Sequence, residues 1–150
     1  MKKIWNFAFG YLIAGLLAGL YFRELTKAEG FTGDTQLGVL HTHLLTLGVV
    51  FLLVVLAFEK LFRLSESRQF TWFFRTYNAG VVVTTGMLAV HGTMTVLGKE
   101  VSPAISGIAG LGHILLTVGF VLFFFAVQTR ITNPSPVEPA AEKQALSQGH

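Results

Sequence analysis

Four apolar stretches, at residues 4–22, 37–58, 77–97 and 104–127, occupy most of this 150-residue chain. A helix needs about 20 predominantly apolar residues to cross the hydrocarbon of a bilayer, and each stretch reaches that length. The chain therefore reads as an all-α, polytopic membrane protein, a four-transmembrane-helix bundle in residues 1–130. Composition agrees. Only 13% of residues are charged, against roughly 25% in soluble domains. The 14 Phe residues are more than a soluble core of this size could hide. Cysteine is absent, which excludes disulfides, thiolate metal sites and thiol catalysis.

The first stretch follows Met1-Lys2-Lys3 and could pass for a signal peptide. It is too long for one, and no small-x-small cleavage site follows, so it reads as the first helix. The connections are short and polar, and Pro103 suits the first turn of the fourth helix. Beyond Arg130 the chain carries three of its four prolines and is otherwise small and polar. Residues 131–150 are expected to form a disordered tail, with His150 at its end and without a role.

The basic residues are confined to the connections and ends, where they set orientation and do not form a nucleic-acid surface. With four spans, one side holds Lys2, Lys3, Lys60, Arg63, Arg68, Arg75, Arg130 and Lys143, and the other only Arg23, Lys27 and Lys99. Both termini are thus expected on the cytoplasmic side of a bacterial inner membrane, with Trp5 and Trp72 as interfacial anchors. Gly15-x-x-x-Gly19 in the first span, and Gly107, Gly110 and Gly112 in the fourth, mark close approaches. They suit packing within the bundle, an oligomer interface, or room for a flat ligand.

Four of the five histidines fall inside the spans. Counting 1.5 Å per residue from the outer ends puts His43 and His91 about 12 Å deep and His113 about 15 Å deep, with His41 slightly shallower than His43. The expectation is a layer of imidazoles from three helices, in the outer half of the bilayer. A single intramembrane histidine is often only a hydrogen-bonding bridge between helices. A cluster points further, because ionisable groups in a membrane mark function. No carboxylate, Lys or Arg shares the layer, so a proton relay is disfavoured. Neutral imidazoles suit a metal or a heme iron.

His41 and His43 lie about 200° apart around their helix, so they face different partners. The Leu-, Val-, Gly- and Thr-rich surroundings favour heme. Copper remains an alternative, although its soft ligands are represented only by Met87 and Met94. Zinc would need three or four convergent ligands.

Leu40-His41-Thr42 resembles the second helix of nitric oxide reductases and cbb3-type oxidases. The run from Leu40 to Phe51 resembles heme-ligand helices, and its His41-x-His43 pair, near the outer end of an apolar helix, resembles the tenth helix of heme-copper oxidases. The chain also resembles small four-helix bacterial membrane proteins and the NnrS-type heme proteins. The resemblance covers about a dozen residues. It implies that this chain corresponds to one four-helix arc of the twelve-helix oxidase subunit. A homotrimer would then rebuild the ring, with heme b held between His41 of one protomer and His43 of its neighbour. The second histidine pair of the oxidase copper site has no counterpart beyond His91, and no Tyr lies near the layer. His91 and His113 are left as a second metal site or as partners of heme propionates.

Three functions follow from the residues. One is a heme b cytochrome-like module for electron transfer or for handling oxygen or nitric oxide, with an electron donor the sequence does not name. The second is a copper or zinc carrier using His91 and His113. The third is a non-catalytic scaffold subunit. No nucleophile–base constellation or phosphate-cradling loop supports a hydrolase or transferase.

Overall fold

A computed structural model describes residues 1–133. The tail expected from residue 131 lies outside the described residues from 134 onward, as does His150. The architecture is an all-α bundle of four helices, each long and apolar enough to cross a membrane. Helix 1 is Lys2–Ala28, helix 2 Leu37–Phe62, helix 3 Arg68–Val96 and helix 4 Pro103–Thr132. These are the elements of a multi-pass membrane protein.

Helices 1, 3 and 4 run past the apolar stretches because local chemistry, not hydropathy, sets their ends. Helix 1 continues to Ala28 and the chain then turns at Gly30, whose φ of 58° favours glycine. Helix 3 starts nine residues before the apolar run, at Arg68, where the Ser67 hydroxyl accepts the Phe70 N–H at 3.2 Å. Helix 4 starts on the Ser102 cap with Pro103 in its first turn. Helix 2 ends at Arg63 in the left-handed conformation (φ 51°). That turn is held by the buried Glu59 carboxylate, which accepts from the backbone N–H and the hydroxyl of Ser65.

Helix 2 is not uniform. Residues Leu44–Val50 form a π-helical stretch between two α-helical segments. The stretch begins on the residue after His43. Sequence periodicity gave no sign of it.

Helix 1 packs along helix 2, and helix 4 packs mainly on helix 3. Glycines set the approaches. Gly15 and Gly19 of helix 1 face Leu45 and His41, and Gly48 receives the Tyr11 ring so closely that a Cβ there would sit 2.5 Å from it. Gly112 lies against Thr84 of helix 3. These glycines thus serve packing within the bundle. Gly107 and Gly110 face open space.

The centre is aromatic. Phe51 meets Phe120 and Phe123 of helix 4 at ring-centroid distances of 5.0 and 5.4 Å, and Tyr77 of helix 3 at 4.8 Å. Two hydrogen bonds tie helix 1 to helix 3: Tyr11 Oη to Asn78 Oδ1 at 2.9 Å, and Tyr21 Oη with Thr93 Oγ1 at 3.1 Å. The outward faces of helices 1 and 4 are apolar, including Leu16, Leu20, Ile114, Val121 and Phe124, as lipid contact or a further protein surface requires.

Candidate functional site

The contacts between helices fix where the histidines stand along the bundle. Gly92, next to His91, lies against Leu37 at the start of helix 2, and the Thr35 hydroxyl donates to the Gly92 carbonyl at 2.9 Å. His41 comes one turn after Leu37, and a Cβ at Gly19 would lie 3.8 Å from its Cβ. At 1.5 Å per residue, His41 is about 5 Å deeper than His91, measured from the end of the bundle that carries the 29–36 loop. Gly112 lies against Thr84, which sets His113 about 12 Å deeper than His91 by the same rise. The four imidazoles therefore occupy a band about 12 Å deep, with His41 and His43 in its middle.

Their directions differ. His41 packs on the helix 1 side. His43 lines a small hollow of about 240 Å³ with Thr42, Thr46 and Leu47. The π stretch accounts for the direction of His43. Its i→i+5 bonding accommodates about one residue more than an α-helix would. The eight steps from His43 to Phe51 therefore turn like seven α-helical ones, within about 20° of two full turns. His43 is thus in line with Phe51, the residue that meets helix 4. On helix 4, His113 precedes Phe120 by seven residues and lies on the same face by the same arithmetic.

His43 and His113 are consequently both two turns out from the Phe51–Phe120 contact, each in line with the Phe of its own helix. Counting through helix 3 gives the same level to within about 5 Å. In this region helix 2 packs on helices 1 and 3 and not closely on helix 4. On helix 4, Gly107 and Gly110 precede His113 by six and three residues, and a Cβ at either would meet nothing within 4 Å.

The hydrogen bonds separate the four rings into two kinds. His43 Nδ1 donates to the Val39 carbonyl at 2.8 Å, and His113 Nδ1 donates to the Ala109 carbonyl at 2.9 Å. A carbonyl only accepts, so each ring donates from Nδ1, and in the neutral ring the lone pair is then on Nε2. Metal-bound histidines are held in this way. By contrast, the Nδ1 atoms of His41 and His91 are buried without a hydrogen-bond partner, so no backbone acceptor selects their tautomer. His113 is exposed on the bundle surface and the other three are half-buried.

Among the described residues, no group of three His, Cys, Asp or Glu side chains comes together as ion ligands. A bare zinc site of three protein ligands therefore has no basis within one chain. Sequence reasoning expected one layer with His41 and His43 as the heme ligands and did not put His43 and His113 in line with Phe51 and Phe120. The seven-residue spacing of His113 and Phe120 was readable. The π stretch that brings His43 into register was not.

A bundle of four helices long and apolar enough to cross a membrane, with His43 and His113 each donating from Nδ1 to a backbone carbonyl of its own helix, is the class that fold and site define. The chain belongs to the DUF2871 family, described as proteins of unknown function, whose model matches residues 1–130. No curated protein matches the chain, and no solved structure does.

Proposed function

We propose that this protein is a heme b-binding membrane protein, a cytochrome-like module whose iron is held by His43 and His113 of one chain. The observation that carries the reading is the matched pair of Nδ1–H bonds to the carbonyls of Val39 and Ala109, which in the neutral rings leave both Nε2 atoms available on helices 2 and 4. Gly107 and Gly110 supply the lack of side-chain bulk that a flat macrocycle needs beside His113. When bound between two histidines, heme supplies one-electron chemistry at a six-coordinate iron, which favours electron transfer over binding of oxygen or nitric oxide. The residues of this chain would fix the ligand tautomers, keep water out with the apolar helix faces, and set the ring orientation through the π stretch.

A second reading keeps heme but places it between protomers of a homotrimer, with His41 of one and His43 of the next as ligands. The opposed directions of His41 and His43 and the apolar outer faces of helices 1 and 4 favour it. It ranks second because nothing accepts a proton from His41 Nδ1. Copper held by His91 and His113 has weaker support, since among the described residues no cluster of three or more ligands surrounds either.

Hemin titration of the detergent-purified protein separates these readings. His43→Ala and His113→Ala are expected to abolish the bis-histidine spectrum, with His41→Ala retaining it. Loss in His41→Ala with retention in His113→Ala would transfer the site to the protomer interface. Equal uptake by all three variants would remove heme ligation by these histidines altogether.

A further inference from the structure

At the opposite end of the bundle from the histidines, the start of helix 1 and the start of helix 3 enclose a pocket of about 500 Å³. Lys2 and Lys3 line it from helix 1, and Arg75 and Thr71 from helix 3. Phe70 and Phe74 form its apolar wall. The pocket therefore joins three positive charges to an aromatic floor. Among the described residues, none of Lys2, Lys3 and Arg75 takes part in an ion pair. The carboxylates nearby are engaged elsewhere: Glu59 holds Ser65 at the pocket rim, and Glu66 meets Arg130 at 3.0 Å.

Unpaired cations clustered over an apolar wall, in a chain built to span a membrane, fit an amphiphile with an anionic head. Trp5 and Trp72, both exposed, stand on the same two helix starts, and side chains of this type sit at headgroup level. We infer that this pocket binds one anionic glycerophospholipid. Its phosphate would lie among Lys2, Lys3 and Arg75, and an acyl chain would run along Phe70 and Phe74. Basic pockets between membrane helices recognise acidic head groups in this manner. Arg75 offers a paired donor fork for phosphate oxygens, and the lysines offer charge. A phosphatidylcholine head, with its own cation, would gain much less.

The test is native mass spectrometry of the full chain released from nanodiscs of equal parts phosphatidylglycerol and phosphatidylcholine. Wild type is expected to retain phosphatidylglycerol in preference by on the order of tenfold. The variant Lys2→Gln/Lys3→Gln/Arg75→Gln is expected to lose that preference while keeping its helical circular dichroism. A control variant, Lys60→Gln/Arg63→Gln, lies outside the pocket and is expected to retain it. Millimolar glycerol phosphate is expected not to displace the lipid. The inference is overturned if wild type keeps both lipids equally, or if the control variant loses preference as far as the pocket variant. Displacement by glycerol phosphate would overturn it too, because the ligand would then be a soluble phosphate ester.

Discussion

Phe51 of helix 2 stands edge-on to Phe120 of helix 4, with ring centroids 5.0 Å apart, and this contact sets the faces on which His43 and His113 lie two turns further out. The π stretch at Leu44–Val50 makes that alignment hold on helix 2. Deleting the exposed Thr46 should let the stretch revert to α-helix with His43 still in line with Phe51, because the seven remaining α-helical steps also come within about 20° of two full turns. The expected outcome is unchanged helical circular dichroism together with retained hemin binding. Loss of binding would show that the register of His43 with Phe51 does not by itself make the site.

Tyr77 donates its hydroxyl to the Leu47 carbonyl at 3.0 Å, within the same stretch. Interhelical hydrogen bonds in membranes average about 0.6 kcal/mol and reach about 1.7. Tyr77→Phe is expected to lower unfolding stability by an amount in this range, measured by denaturation from mixed micelles. Heme content should stay close to wild type, because the aromatic packing of ring 77 is kept.

Gly48 and Gly10 make a paired test of packing. A Cβ at Gly48 would come 2.5 Å from the Tyr11 side chain, and one at Gly10 would meet nothing within 4 Å. Gly48→Ala is expected to cost about 1–3 kcal/mol through overpacking. Gly10→Ala should be neutral or stabilising by up to about 1 kcal/mol, as alanine replaces glycine in a helix interior. Thermal unfolding of the two variants side by side checks the contrast.

Gly110 lies one turn before His113 on helix 4 and also has open space around it. Gly110→Leu is expected to leave unfolding temperature within a few degrees of wild type while cutting hemin affinity at least tenfold, read by absorbance titration. Unchanged affinity would mean that the group does not occupy the space between helices 2 and 4.

Much of the fold was legible because lipid imposes a length rule: each apolar run long enough to span a bilayer became one of the four helices. Helix ends were less legible. Arg68 begins helix 3 because Ser67 caps it, and hydropathy does not register a capping hydroxyl. The separation of His41 from His43 followed from helical geometry alone, since two residues turn about 200°. The register of His43 with Phe51 was hidden. It depends on an inserted residue in the backbone ladder, for which helix 2 carries no distinguishing residue type. The roles of Gly15, Gly48 and Gly112 also needed coordinates, because glycine spacing does not reveal which neighbour fills the space. The pocket of Lys2, Lys3 and Arg75 joins residues far apart in the chain. In sequence these read only as orientation signals.

Heme ligation by the histidine band is tested most directly by the oxidised and reduced absorption spectra of the full chain purified from heme-replete cells. The expected result is a Soret band with resolved α and β bands on reduction, unchanged by carbon monoxide, as two histidine ligands require. A colourless preparation that also leaves added hemin unbound would contradict it.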